Sequence, residues 1–139
     1  MDLFAVNWIA VVVGAATGFV IGGLWYGPIF GKAWLAAVGL TEEDAQNGHP
    51  GKIYGGAFLL SVVISWTMAH TFQTYALAGA DLSILDKVLT GFGVALGFVV
   101  PAVGINYLFS QKTLKLFLID AGYWLLFFTA VAAVHAYLP

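Results

Sequence analysis

The sequence predicts an all-α integral membrane protein, a four-helix bundle of spans with a short interfacial helical segment between spans one and two. Three observations carry this reading. Of 139 residues, 61% are hydrophobic and only 9% charged; a soluble domain carries about 25% charged residues, so lipid must be the solvent for most of this surface. Four apolar runs reach the ~20 residues that a spanning helix needs. In the first of them Gly14, Gly18 and Gly22 recur at four-residue spacing, the small-residue stripe that lets a second helix come close. Little chain is left over, so residues 1–139 form a single four-span domain with no separate soluble module.

Span one is predicted over residues 3–25. The only early charge is Asp2, whereas a secretory signal peptide opens on a positive region, so this run is read as a retained span. Asn7, Val11, Gly14, Gly18, Gly22 and Trp25 fall on one face by their spacing, and that face is expected to pack inward, with the glycines as helix-packing positions. Gly27-Pro28 is expected to break the helix. Residues 29–38 then read as a short amphipathic helix at the interface, with Phe30 and Trp34 towards lipid and Gly39 as its C-cap. Thr41-Glu-Glu-Asp44 has the form of a capping box, and Asn47-Gly-His-Pro-Gly51 is turn chemistry. The loop over 26–52 is long for a helix–helix connection and reads as an interfacial cuff.

Span two is predicted over 53–75, with Trp66, His70 and Gln73 along one face. Ser83 or Asp81 is expected to cap span three, over 87–109, where Pro101 removes the bond to the Gly97 carbonyl and predicts a kink. Residues 110–114 make a tight hairpin into span four, 115–137. Spans one and two do not match three and four position for position, so an inverted repeat is not supported. Lys32, Lys52, Lys112 and Lys115 fall on one side and Lys87 alone on the other. By the positive-inside rule loops 26–52 and 110–114 are cytoplasmic and both termini lie outside, in a multi-pass protein of the cell's inner (plasma) membrane.

The sharpest polar feature is Asp120. It lies five residues past Lys115, ~8 Å along a helix, where a carboxylate costs less than the ~2.5–3.5 kcal/mol of the span centre but still needs a partner. Thr113 is the midpoint between 106 and 120, so Asn106 and Asp120 are predicted to meet at one depth, with Tyr123 or Tyr26 donating. This is the candidate polar site on the cytoplasmic side. It reads as a proton or cation site or, more plainly, as an interhelical hydrogen bond that fixes packing. A second candidate lies at the outer side: Asn7, His70, Gln73 and His135. His70 with His135 is the one pairing that suggests zinc or a proton relay. No two histidines share an i, i+3 or i, i+4 spacing, however, and no carboxylate lies at that level, so no metal site is predicted. His49, beside Pro50, reads as solvated.

Whole function classes are set aside by composition. The chain has no cysteine and no arginine, and its five lysines form no run, so nucleic-acid binding through a basic face is not expected. No phosphate loop, GxSxG or HExxH is present, and Ser61 and Ser65 have no evident His–carboxylate pair. Neither an enzyme nor a cofactor is expected.

Three blocks together resemble a known family. They are Val6-Asn7-Trp8; the stretch from Gly22 through Trp25-Tyr-Gly-Pro-Ile-Phe-Gly-Lys-Ala-Trp34, with Gly39-Leu-Thr-Glu-Glu-Asp44; and Ile105-Asn-Tyr-Leu-Phe109, followed by Lys115-Leu-Phe-Leu-Ile-Asp-Ala-Gly-Tyr123. Over nearly its whole length the chain resembles the small bacterial membrane proteins grouped as domain of unknown function family 1761. The resemblance implies a four-span membrane fold and no particular activity. It also implies that Asn can stand where Asp120 stands, so that an ionisable group there is not essential.

Four helices alone rarely enclose an aqueous path. The glycine face and the many aromatics therefore favour a homo-oligomer, dimer or trimer, with membrane lipids as the other partner. Two functions follow. The first, narrowly favoured, is a small oligomeric transporter or channel-like protein using Asn106 and Asp120 on one side and Asn7 and His70 on the other. The second is a structural or partner-binding membrane module with no transport or catalysis. A water-filled cavity reaching Asp120 supports the first; a dry, hydrogen-bonded Asp120 supports the second.

Overall fold

The computed structural model describes Asp2 and residues 4–138, and every regular element among them is helical. The order is α1 (Trp8–Leu24), α2 (Gly31–Val38), α3 (Glu42–Gln46), α4 (Pro50–Leu77), α5 (Ile84–Val94), α6 (Val100–Phe109) and α7 (Leu114–Tyr137), with π-turns at Trp25–Ile29 and Ala95–Val99. The first π-turn extends α1 to Ile29 and the second joins α5 to α6, and four helices are long and apolar enough to cross a membrane: Trp8–Ile29, Pro50–Leu77, Ile84–Phe109 and Leu114–Tyr137.

The ends of these spans are set by caps rather than by where the apolar runs begin. The expected start of span one, Leu3, lies outside the described residues. The helix itself begins at Trp8 because the Asn7 side chain accepts from the Ile9 and Ala10 N–H groups, at 3.1 and 3.2 Å, satisfying two donors that a helix start leaves unpaired. Span two begins three residues earlier than its apolar run, with Pro50 in the first turn and His49 Nδ1 accepting from Lys52 N–H at 3.4 Å. Of the two candidate caps for span three, Ser83 serves: its hydroxyl accepts from Asp86 N–H, and the Asp86 carboxylate accepts from Ser83 N–H and Oγ–H. Thr113 caps span four through Leu116 N–H.

Pro28 and Pro101 act differently from the expectation. The first helix does not break at Gly27-Pro28 but widens into the π-turn and runs on to Ile29. Proline lacks the N–H that the regular ladder needs, and the wider turn absorbs the gap: Phe30 N–H bonds to the Trp25 carbonyl at 2.8 Å. Span three does the same one residue ahead of Pro101, with Val100 N–H reaching the Ala95 carbonyl. After the first π-turn, α2 ends on Gly39 in the left-handed region (φ +77°), and α3 carries the Thr41–Asp44 capping box. Phe30 and Trp34 do not turn to lipid. They are half-buried, Phe30 against Trp25 and Trp34 against Tyr26, with ring centroids 4.6 and 5.5 Å apart, because those rings offer apolar area on the protein side.

Span four is the centre of the bundle. It packs against α1 and against α5 and α6, and more lightly against α4, while α4 leans chiefly on α1. Spans two and three, though consecutive, touch only marginally, leaving a groove with Phe128 at its base. The core is Met68, Phe72, Ala95, Phe127, Phe128, Val131 and Ala132. Glycine lets the neighbours approach it: a Cβ on Gly18 would lie 1.9 Å from the Phe127 ring, and one on Gly91 would lie 2.4 Å from Ala132 Cβ. The outer surface is apolar, with Phe98 75%, Leu108 80% and Phe109 89% exposed, as a lipid-facing surface requires.

Candidate functional site

The inward stripe of α1 meets polar groups at both ends. Gly14 lies under Ser65 and Val131, Gly18 under Phe127, and Gly22 under the Tyr123 hydroxyl, 3.4 Å from a would-be Cβ. Below Gly22 the π-turn carries Trp25 and Tyr26 onto α7. Trp25 Nε1–H donates to the Ile119 carbonyl at 2.9 Å, and the Tyr26 hydroxyl donates to Asp120 Oδ1 at 2.6 Å. From span three, the Tyr107 hydroxyl donates to Asp120 Oδ2 at 2.5 Å. Asp120 is buried. Each carboxylate oxygen thus has one phenol, and the three residues tie spans one, three and four at a single point. A carboxyl group taken out of water needs such hydrogen-bond partners.

The expected Asn106–Asp120 contact does not form. Asn106 is exposed, and Tyr107 occupies the place assigned to it. The reason is register. The buried positions Gly91 and Ala95 mark the face of span three turned to α7. At about 100° per residue a regular helix brings Asn106 to within about 60° of Gly91 and leaves Tyr107 about 160° away. The π-turn at Ala95–Val99 inserts one residue into the ladder, so beyond it Tyr107 takes the direction Asn106 had. Tyr26 donates as expected. Tyr123 makes no such bond; its ring stacks on Tyr26, with centroids 5.0 Å apart, and on Trp124 and Phe127.

At the opposite end the structure gathers three of the four outer-side residues around one cavity. Asn7, Gln73 and His135 line a cavity of about 250 Å³, together with Ala5, Phe72 and Lys87 among others. Gln73 Nε2–H donates to the Ala5 carbonyl at 2.9 Å, which fastens the chain ahead of α1 to span two. His135 is buried and its Nε2 lies 2.9 Å from Ser65 Oγ. His70 is buried nearby in sequence but packs edge-on against Trp66, with centroids 4.6 Å apart. The residue that sequence reasoning missed here is Lys87, whose ammonium lies 5.7 Å over the Phe72 ring. Its place one turn after the Ser83 cap was the available signal. Among the described residues no group of three or more His, Asp or Glu side chains is placed to hold a metal.

A cavity of about 460 Å³ between α1 and α4 reaches Gly18, Gly22, Tyr26 and Tyr123, and between the two polar ends α7 is packed with apolar side chains. Asp120 and His135 are 15 residues apart on one helix, ~22 Å at 1.5 Å per residue. The interval on α7 contains Phe127 and Val131, both fully buried, and Phe128 and Ala132 beside them. Gly18 closes the same layer from α1 and Met68 closes it from α4.

A family model described as "Protein of unknown function (DUF1761)" matches residues 9–136. No curated protein and no solved structure matches the chain.

Proposed function

The chain belongs to the DUF1761 family of proteins of unknown function, and we propose that it is a structural, partner-binding membrane module rather than a conductor. One observation carries this: the two polar ends are held ~22 Å apart by the close-packed layer of Phe127, Phe128, Val131 and Ala132. Transport needs a hydrated route or an alternating one between sites. Here each Asp120 oxygen accepts from one phenol, Tyr26 or Tyr107, and the cavity at the other end is lined by His135, whose Nε2 pairs with Ser65. The polar residues serve as ties between helices, a role attested in membrane bundles. The proposal assigns the chain no catalysis.

In this reading the module works as a homo-oligomer through span three, the least buried of the four spans. Gly93 and Gly97, four residues apart, have open space where a Cβ would stand, and Phe98 is exposed beside them. Lysine placement supports loops 26–52 and 110–114 in the cytoplasm with both termini outside.

The chain has no cysteine, so introduced thiols report without interference. Phe127→Cys and Val131→Cys should stay unlabelled by membrane-impermeant thiol reagents added to either side, while Asn47→Cys reacts from the cytoplasmic side. Labelling of Cys at 127 in the folded protein overturns the proposal. Gly93→Leu with Gly97→Leu should shift the purified protein to monomer; an unchanged assembly rules out span three as the contact.

A further inference from the structure

The cavity at the terminal end of the bundle holds, among its described lining residues, a single charged side chain. That residue is Lys87. The side chain is half-buried, and its ammonium lies 5.7 Å over the Phe72 ring. A cation over an aromatic face gains about 0.5–2 kcal/mol, which positions the ammonium without neutralising it. Asp86, next along the helix, is committed to Ser83. Among the described residues no carboxylate lines the cavity, whose other polar residues are Asn7, Gln73 and His135. The four other lysines, Lys32, Lys52, Lys112 and Lys115, are all exposed.

We propose that this cavity binds an oxyanion, a phosphate or carboxylate group, with Lys87 as its counter-charge and the amide of Asn7 and the imidazole of His135 as flanking polar groups. The apolar part of the lining, Val6, Phe72, Ala76 and Leu138, accommodates the carbon adjoining such a group. Two sources present this chemistry at a membrane surface: a dissolved small anion and the headgroup of an anionic phospholipid. The inference is independent of the module's proposed role in assembly, since it concerns only the occupant of this cavity.

The test is protection of lysine from acetylation, read peptide by peptide by mass spectrometry on the full chain. The protein is examined in a neutral maltoside detergent with and without inorganic phosphate or acetate. In parallel it is examined in nanodiscs of phosphatidylcholine alone or doped with phosphatidylglycerol. At ligand well above its Kd, Lys87 acetylation should fall about fivefold or more by mass action, with the four exposed lysines unchanged. Protection by phosphate or acetate identifies a dissolved anion; protection by phosphatidylglycerol alone identifies a headgroup. Lys87→Met should weaken binding of the protecting ligand about tenfold or more, the loss of one charge-assisted contact, and Lys87→Arg should retain it. Lys87 labelling that no probe changes, or that falls equally with all other lysines, overturns the proposal. So does equal binding by Lys87→Met.

Discussion

Removing the Asp120 carboxylate perturbs the one point where three spans are tied together. Asp120→Ala deletes both acceptors and leaves the half-buried Tyr26 and Tyr107 hydroxyls without the bonds they make at 2.6 and 2.5 Å. Polar ties in membrane bundles contribute about 0.6 kcal/mol on average and up to about 1.7, so losing two costs about 1–3 kcal/mol. Leaving two half-buried donors unpaired raises this further, and we expect about 2–4 kcal/mol in all. Asp120→Asn keeps one acceptor oxygen for one phenol and offers its NH₂ to the oxygen of the other, so its cost should be only about 1 kcal/mol. Tyr26→Phe and Tyr107→Phe should each cost about 1 kcal/mol. Each should also couple to Asp120→Ala, the double variants losing less than the sum of the singles. Removing all three polar groups together should cost less than Asp120→Ala alone, because no buried group is then left unpaired. The assay is reversible unfolding in mixed detergent micelles, or steric trapping in bicelles. Asp120→Ala as stable as wild type, or strict additivity with both tyrosine variants, refutes the tie.

Other perturbations follow from the packing and the turns. Gly18→Ala places a Cβ 1.9 Å from Phe127, which is fully buried and has nowhere to move; overpacking of this kind costs about 1–3 kcal/mol. Gly23→Ala, which meets open space, should be neutral or stabilise by up to about 1 kcal/mol in the same unfolding assay. Gln111 holds φ +54° in the hairpin between spans three and four, so Gln111→Gly should raise stability by about 0.5–1 kcal/mol. In α3, the Thr41 backbone and side-chain bonds hold the Asp44 carboxyl below the usual carboxylate range. A group depressed in the folded state stabilises above its unfolded value of about 3.9 and loses that contribution as pH falls through the folded one. Amide exchange at Asp44 and Ala45 should therefore be slow at neutral pH and quicken, relative to the intrinsic rate, only below about pH 4. Thr41→Ala should make it fast throughout.

Much of the fold is legible in composition and length, because a lipid-facing helix must be apolar for its whole span and cannot hide a break. All four spans lie within a few residues of the apolar runs, and the differences are local. Asn7, His49 and Ser83 fix helix starts by hydrogen bonding, which a hydropathy window does not register. The inward face of α1 is readable because Gly14 and Gly18 are the only kind of residue that fits beneath Ser65 and Phe127. The polar site was legible in depth but not in direction. Hairpin symmetry about Thr113 gives the level of Asp120's partner, whereas direction depends on the running count of residues per turn, and one inserted residue at Ala95–Val99 exchanges Asn106 for Tyr107. Pro101 was the available sign, since a proline within a span must be absorbed by some departure from the regular ladder. The same applies to Pro28, where a break was expected and a π-turn formed. That turn is what brings Tyr26 to Asp120 and Trp25 to Ile119. Lys87 escaped notice because span ends commonly carry a lysine, and only the folded chain places its ammonium over the Phe72 ring of α4.

Proton flux in proteoliposomes separates a dry scaffold from a conductor most directly. Wild type and Asp120→Asn are reconstituted at matched density, a pH gradient is imposed, and an entrapped pH dye follows its decay. The Phe127–Val131 layer predicts that both decay at the rate of protein-free liposomes. Decay faster with wild type than without protein, and returned to the empty rate by Asp120→Asn in a folded protein, would show that Asp120 serves a conducting path and that the module reading is wrong.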